Sequence, residues 1–164
     1  MKTLLLMRHA KSSFKESDLP DFERPLSKRG EKDAPRMGKL LKDKELTPDL
    51  ILSSTAQRAS LTAEMVADKC KYEHEIVFVQ NFYLGEPEAY LNSLRDLDDE
   101  SNDIVWVICH NPGVESLLQL LTDRVESLPT SAIAHLELPI RTWKALNTDV
   151  IANLKHLWLP RDIK

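Results

Sequence analysis

Short apolar segments recur along the chain and are separated by polar and amphipathic stretches. Residues 2–7 and 104–109 are almost wholly apolar, which is typical of strands buried on both faces of a covered sheet. Four further segments predict strands, the last of them an edge strand: 49–53, 76–79, 132–138 and 150–159. The pattern therefore predicts six strands.

Amphipathic segments between these strands predict four helices. Ser27 can cap a helix that runs to about residue 44, and Ser54 or Thr55 can cap a second helix over 56–69. The other two are expected over 87–97 and 112–121, whereas residues 10–26 are polar and predict a long loop. This alternation predicts an α/β fold, a three-layer sandwich whose helices flank a mostly parallel central sheet.

Composition limits the number of domains and the kinds of partner. The 164 residues, 42% apolar and 29% charged, fit one domain over 1–164, without repeats or an internal linker. Such a chain buries roughly 70% of the surface it exposes when unfolded, enough for a core and one well-built pocket. With a net charge of −4 and no basic run longer than two residues, nucleic acid is not expected as a partner.

The expected compartment follows from the apolar runs and the cysteines. No apolar stretch approaches the ~20 residues that span a bilayer, so we expect neither a membrane segment nor a signal peptide. Cys70 and Cys109 stand far apart in the sequence and fit reduced core thiols better than a disulfide framework or a zinc cluster. These observations favour the cytoplasm.

Several familiar phosphate and metal motifs are missing. The four glycines form neither of the two common nucleotide-binding loops, and the five histidines include no H-E-x-x-H zinc motif. The C-x5-R signature of cysteine phosphatases fails, because Glu115 stands where its arginine belongs. Any phosphate must therefore be held by side chains.

Candidate side chains for that task follow three of the predicted strands. Arg8 and His9 follow the first strand, His110 follows the fourth, and Arg58 lies in the first turn of the helix after the second. In an open α/β sheet, ligands bind beyond the carboxyl ends of the strands. A neutral imidazole, of either His9 or His110, is a competent nucleophile toward phosphorus. Arginines can stabilise the charge on the phosphoryl oxygens, so no metal ion is needed.

Each of these residues also has an ordinary structural interpretation. An Arg-His pair occurs by chance in many chains. Arg58 could be a surface residue paired with Glu64 or Asp68. His110 could be a core histidine hydrogen-bonded to backbone. The joint placement of the residues at strand ends favours a phosphate site.

The motifs around these residues resemble those of the histidine phosphatase superfamily. The segment 6–10 is similar to its first R-H motif, 53–59 together with Thr62-Ala63-Glu64 to its second arginine motif, and 109–113 to its second histidine motif. Within the superfamily, Asp21-Phe22-Glu23-Arg24-Pro25-Leu26 with Arg29-Gly30, and residues 130–134, resemble the SixA-type phosphohistidine phosphatases. The resemblance covers about residues 1–160 and implies the phosphoglycerate mutase-like fold.

The resemblance also implies roles for single residues. His9 would attack and carry the phosphoryl group, Arg8, Arg58 and His110 would bind its oxygens, and Arg24 would add a further contact. The general acid would be a carboxylate between the second arginine and the second histidine. Glu86 falls near that place, with Glu88 or Asp18 as substitutes, and all three could be ordinary loop or helix-start carboxylates.

The implied activity is a metal-independent phosphatase that needs no cofactor. A phosphoramidate such as protein phosphohistidine depends less on an enzyme acid than an alkyl phosphate does, and the chain has no insertion long enough for a capping subdomain. The expected substrate is therefore a phosphohistidine-bearing protein. Small phosphate esters are the alternative substrates, and a non-catalytic phosphate-binding module is the alternative function.

Overall fold

The computed structural model describes residues 1–15 and 18–163. Within them, six strands and four α-helices lie close to the predicted positions. The strands are β1 (Lys2–Arg8), β2 (Leu50–Ser54), β3 (Val77–Val79), β4 (Ile104–Cys109), β5 (Ile133–Leu138) and β6 (Asn153–Trp158). The helices are α1 (Lys28–Asp43), α2 (Gln57–Cys70), α3 (Pro87–Arg95) and α4 (Gly113–Thr122).

The strands form one mixed sheet in the order β3-β2-β4-β1-β5-β6. The first four strands in this order run parallel, and β1 and β4 are neighbours with Arg8 opposite Cys109. This confirms the mostly parallel sheet and places β6 at an edge, as predicted. The carboxyl ends of β1, β2 and β4 consequently meet at one edge of the sheet.

The last two strands are antiparallel, a direction that the apolar pattern does not encode. β5 runs antiparallel to β1, and β6 antiparallel to β5. After α4, the chain returns to the carboxyl end of β1, where the Ser131 backbone N–H is shared between the carbonyls of Arg8 and His9. Because β5 starts where β1 ends, it must run in the opposite direction.

Apolar side chains of the central strands alternate between the two faces of the sheet. Leu4 and Leu6 pack with α3 and α4, whereas Leu5 and Met7 pack with α1 and α2. Both faces are covered, which confirms the predicted three-layer sandwich. The near-continuous apolar sequence of β1 follows from this double burial.

Helix capping agrees with the prediction at α1 and differs at α2. The Ser27 hydroxyl accepts the Gly30 backbone N–H at 3.2 Å, as expected of a capping residue. The predicted caps Ser54 and Thr55 are wrong, because Ala56 occupies that position and provides no side-chain bond. Ser54 bonds to His110 and Thr55 to Gln80, so both hydroxyls have tertiary partners.

Two further expectations concern the cysteines and the polar loop. Cys70 and Cys109 are buried free thiols, as predicted. Residues 16 and 17 of the predicted loop 10–26 lie outside the described residues; its described part contains a short 3₁₀ turn, Asp21–Glu23, and a bridge between Ser12 and Leu26. No helix in the described part of the chain is long and apolar enough to cross a membrane.

Candidate active site

The carboxyl ends of β1, β2 and β4 surround a cavity of about 260 Å³. The cavity is lined by five of the predicted side chains, Arg8, His9, Arg24, Arg58 and His110. Arg8 and His9 end β1, His110 follows β4, and Arg58 lies in the first turn of α2. The structure therefore brings together residues that are more than 100 positions apart in the sequence.

His9 and His110 are adjacent because their strands pair in parallel. The His9 backbone N–H donates to the Cys109 carbonyl at 3.0 Å. The two rings lie with their centroids 5.1 Å apart at an interplanar angle of 52°. A phosphoryl group bound at one ring is therefore within reach of the other.

His9 presents a free ring nitrogen to the cavity. Its Nδ1 lies 2.7 Å from the Ala10 carbonyl oxygen, which can only accept a hydrogen bond, so Nδ1 carries the proton and Nε2 the lone pair. Burial lowers the pKa of His9 to about 3, and the nearby His110 and Arg58 act in the same direction. His9 is therefore neutral at pH 7, as an attacking imidazole must be.

His110 is held by a side chain of β2. Its Nε2 lies 2.7 Å from the Ser54 hydroxyl, so the interpretation as a core histidine bonded to backbone is wrong. Burial, with the positive charge of Arg58 next, lowers the pKa of His110 to about 4. A bound phosphoryl group would oppose this effect, because an anion close to an imidazole favours its charged form.

Arg58 is buried, although it lies in the first turn of a helix. Its Nη2 pairs with the Asp21 carboxylate at 3.0 Å and its Nη1 donates to the Asp21 carbonyl at 2.7 Å. The alternative interpretation, a surface arginine paired with Glu64 or Asp68, is therefore wrong. A buried guanidinium with hydrogens left beside a cavity is well suited to bind an anion.

Asp21 connects Arg58 to Arg24, the arginine expected to add a further contact to the phosphoryl group. The second oxygen of the Asp21 carboxylate accepts from Arg24 Nη1 at 3.0 Å, and Tyr83 donates its hydroxyl to Asp21 at 2.6 Å. The bond from Tyr83, and next those from Arg58, lower the pKa of Asp21 to about 2. Asp21 is therefore an anion at neutral pH and is unsuited to donate a proton.

Arg8 and Arg24, which both line the cavity, are held by backbone carbonyls. Arg8 Nη1 donates to the Leu128 carbonyl at 3.2 Å. Arg24 Nε donates to the Ser13 carbonyl at 3.2 Å, and its Nη2 donates to the Ser12 hydroxyl. The three arginines thus reach the cavity from β1, from the polar loop and from α2.

The candidate general acids lie outside the cavity that holds His9. Glu86 is exposed and lines a neighbouring cavity of about 280 Å³, which also includes His110. Glu88 pairs with Arg95 at 2.9 Å and lines neither cavity. Asp18 is exposed and lines neither cavity. Of the three, Glu86 is best placed to approach a leaving group near His110.

Residues 1–15 and 18–163 contain no group of three or more histidine, cysteine or acidic side chains arranged to hold a metal ion. The polar groups that face the cavity are mostly cationic or neutral donors, which suit an anion.

Sequence reasoning assigns no role to the residues that hold the site together. Asp21 and Thr62 belong to motifs that carry the resemblance, and Tyr83 belongs to none of them. Thr62 accepts the Ala10 N–H at 3.0 Å and donates to the Arg58 carbonyl at 2.7 Å, which joins the segment after β1 to α2. Leu84 is also part of the lining of the cavity that contains His9; its side chain is 66% exposed and its φ is 54°.

Comparison with known proteins agrees with this geometry. Residues 4–80 match the family model "Histidine phosphatase superfamily (branch 1)". An uncharacterised chloroplastic protein of Arabidopsis thaliana is 31% identical over 152 residues, which are 87% of this chain and 69% of that protein.

Solved structures share the whole architecture. The structure of the putative phosphohistidine phosphatase SixA from Agrobacterium tumefaciens has a TM-score of 0.81 at 26% identity and covers 97% of this chain and 98% of its own. The protein histidine phosphatase SixA in complex with tungstate has a TM-score of 0.84 at 24% identity, with 99% of each chain covered, and shows the same fold. Motifs, fold and cavity agree, and the chain belongs to the histidine phosphatase superfamily.

Proposed function

We propose that the protein is a phosphatase that works through a phosphorylated His9, most effectively on protein phosphohistidine. The observation that carries this proposal is the free Nε2 of a neutral His9, in a cavity that also contains three arginines and His110. The putative phosphohistidine phosphatase SixA of A. tumefaciens, similar in fold and 26% identical in sequence, supports the substrate class.

The proposed reaction has two steps at phosphorus. In the first, His9 Nε2 forms a bond to phosphorus while the bond to the leaving group breaks, and the leaving group takes up a proton. In the second, a water oxygen attacks phosphorus, the N–P bond breaks, and inorganic phosphate, a proton and neutral His9 result. Negative charge spreads over the equatorial oxygens in both steps, where Arg8, Arg24 and Arg58 stabilise it.

The position of the carboxylates supports a phosphoramidate substrate. No candidate acid lines the cavity around His9, so a substrate whose leaving group can be protonated before cleavage is favoured. The imidazole of phosphohistidine meets this requirement, whereas an alkoxide leaving group needs a positioned acid. Metal independence is part of the proposal, because the charge stabilisation is assigned to side chains.

A substrate panel tests the proposal. We expect kcat/KM for a phosphohistidine peptide, measured in the presence of a metal chelator, to exceed that for alkyl phosphates by about 100-fold, a typical contribution of a general acid. Aryl phosphates, with better leaving groups, should fall between them. Equal turnover of alkyl esters, or activity that requires added metal, would contradict the proposal.

A small-molecule phosphomonoesterase is the second candidate, and the position of Glu86 favours it. Glu86 shares a cavity with His110 and could protonate an ester oxygen. If this function is correct, Glu86→Gln should lower ester turnover strongly and leave phosphoramidate turnover unchanged. The non-catalytic alternative predicts phosphopeptide binding without measurable hydrolysis, for which a nucleophilic His9 would be unnecessary.

The expected cytoplasmic location remains a proposal. It is supported by the two buried free cysteines, which fit a reducing compartment. Fractionation of cells that produce the protein tests it directly.

A further inference from the structure

A third cavity, of about 350 Å³, lies beside the one that contains His9. Four cationic residues line it, Lys11, Lys15, Lys28 and Arg29, and Glu31 is the one acidic residue of its lining within the described ranges 1–15 and 18–163. All four cationic residues are exposed. This concentration of positive charge, called here the basic groove, contrasts with the net charge of −4 of the whole chain.

The basic groove is built on two chain segments that are firmly joined. The Ser27 N–H donates to the Lys11 carbonyl at 2.8 Å, and the Ser13 N–H donates to the Pro25 carbonyl at 2.9 Å. The start of α1 packs so closely here that a Cβ added to Gly30 would lie 2.2 Å from the Lys11 carbonyl oxygen. The groove is therefore formed before any ligand arrives, which lowers the entropy lost on binding.

The groove and the active-site cavity are adjacent. Lys11 lines both of them. The Ser13 carbonyl, in the wall of the groove, accepts the hydrogen bond from Arg24 Nε. Phe14 follows Ser13 and lines the active-site cavity; it is 71% exposed, with the Arg24 guanidinium 3.7 Å from its ring centroid. A chain that places its phosphoryl group at His9 can therefore continue past Phe14 into the groove.

The lysines of the groove are available for a ligand. Arg29 pairs with Asp33 at 3.4 Å. Among residues 1–15 and 18–163, no carboxylate forms an ion pair with Lys11, Lys15 or Lys28. Ammonium groups around a preformed concavity attract carboxylates and repel cationic sequences, which gives specificity as well as a faster encounter.

We propose that the basic groove binds acidic side chains of the phosphorylated protein, close to the residue that carries the phosphoryl group. The inference rests on the proposed function and adds a sequence preference to it. The groove then selects among phosphoproteins, while the cavity at His9 performs the chemistry.

Two phosphohistidine peptides test this preference. One carries aspartate and glutamate beside the phosphohistidine, and the other carries asparagine and glutamine at the same positions. We expect kcat/KM to be about fivefold higher for the acidic peptide, the effect of two exposed ion pairs, and the ratio to fall as salt screens them.

Matched variants locate the effect. The double variant Lys15→Ala, Lys28→Ala removes two lysines of the groove. In this variant, the ratio of kcat/KM for the acidic peptide to kcat/KM for the amide peptide should fall close to one. The control variant, Lys39→Ala with Lys42→Ala, removes two exposed lysines from the other half of α1. It should show the same kcat/KM ratio for the two peptides as the unchanged protein. Both variants should hydrolyse phosphoramidate itself, which has no flanking residues, at the rate of the unchanged protein.

The outcomes separate this inference from the proposed function. Absence of turnover for both peptides and for phosphoramidate would overturn the phosphatase proposal itself. Equal turnover of the two peptides, or a ratio that survives the Lys15→Ala, Lys28→Ala change, would overturn only the role of the groove. The groove could instead select small molecules. In that case the protein would prefer bisphosphorylated over monophosphorylated small esters, this preference would depend on the groove lysines, and neither peptide would be preferred. That result would also overturn the inference.

Discussion

The reactivity of His9 depends on its immediate surroundings. Its Nδ1 proton is held by the Ala10 carbonyl, and burial lowers its pKa to about 3. The bond to Ala10 fixes which nitrogen carries the proton and by itself raises the pKa, but burial outweighs it, so Nε2 is unprotonated near neutral pH. An exposed histidine, with a pKa of ~6.5, would lose its reactive lone pair as the solution becomes mildly acidic. Burial therefore widens the pH range over which attack on phosphorus is possible.

The ring of His9 is expected to stay neutral from about pH 8 down to about pH 5, because its folded-state pKa lies far below that of an exposed imidazole. The ¹⁵N chemical shifts of the His9 ring, followed by NMR during a titration, measure this directly. The urea-unfolded chain serves as the control and should titrate near pH ~6.5. A midpoint near that value in the folded protein would contradict the prediction.

Asp21 is a positioning residue for the arginines rather than an acid. Substitution by alanine frees the guanidiniums of Arg58 and Arg24 from their common partner, so kcat/KM for phosphoramidate should fall by about tenfold, or about 1.4 kcal/mol of transition-state stabilisation. Asp21→Asn keeps acceptor and donor atoms in place and should lose less. The affinity for vanadate, a phosphoryl analogue, should weaken in the same order.

Unchanged vanadate affinity in Asp21→Ala would show that the arginines hold their positions without the carboxylate. Thermal unfolding provides the control, because a loss of activity that only followed a loss of folded protein would not be a positioning effect. Tyr83→Phe removes one bond to Asp21 and leaves the ion pairs, so its effect should be smaller than that of Asp21→Ala.

The strands and the helix around the site bring together residues that lie far apart in the sequence. β1 and β4 are adjacent and parallel, so the residues after them meet. α2 is joined to the end of β1 by Thr62, whose hydroxyl bonds both to the Ala10 N–H and to the Arg58 carbonyl. One buried side chain on a helix thus fixes the position of the segment that carries His9 relative to Arg58.

Thr62→Val tests this connection with almost no change in volume. The valine leaves the buried Ala10 N–H without an acceptor, which should lower the free energy of unfolding by about 1–3 kcal/mol. Turnover should also fall, since the segment that carries His9 loses its link to α2. Urea unfolding and kcat measure the two effects. Thr62→Ser retains the hydroxyl and should resemble the unchanged protein, so equal losses in both variants would contradict the interpretation.

Much of the element structure is predictable from the sequence. The apolar runs of β1 and β4 reflect burial between two helical layers, and the residues at their ends identified Arg8, His9 and His110 as a possible site. The direction of β5 was not predictable, because the apolar pattern of a strand is the same in both directions. The contact of Asp21 with Arg58 spans 37 positions and depends on how the polar loop folds over α2.

Folding of the whole molecule buries two imidazoles, those of His9 and His110, next to cationic side chains. Their desolvation disfavours protonation in the folded state, and the two apolar layers on either side of the sheet keep them in place. Below pH ~6.5 the unfolded chain therefore binds protons that the folded protein does not, because both imidazoles stay neutral when buried. The free energy of unfolding falls in acid as a result.

Stability is expected to fall as the pH drops from about 6.5 to about 4. The folded-state pKa values of His9 and His110 are about 3 and about 4, below the unfolded value of ~6.5, so the unfolded chain binds more protons in this range. Each histidine contributes up to about 1.4 kcal/mol per pH unit, and above pH ~6.5 their contribution is constant. Urea unfolding at several pH values measures the slope.

The double variant His9→Gln, His110→Gln is the control for that slope. Without the two imidazoles, stability should depend less on pH between about 4 and about 6.5. Asp21 remains in the variant, and its contribution to stability declines only as the pH falls from the unfolded value of an aspartate, ~3.9, toward its folded value of about 2. An identical slope in both proteins would assign the acid sensitivity to other groups.

Transfer of a phosphoryl group to His9 is the central claim, and trapping the phosphorylated protein tests it most directly. A reaction with ³²P-labelled phosphoramidate, stopped by base during turnover, should leave label on the protein that is stable in base and labile in acid, and that peptide mapping locates on His9. His9→Ala should carry no label and show no turnover. Hydrolysis by His9→Ala at the rate of the unchanged protein would contradict the account.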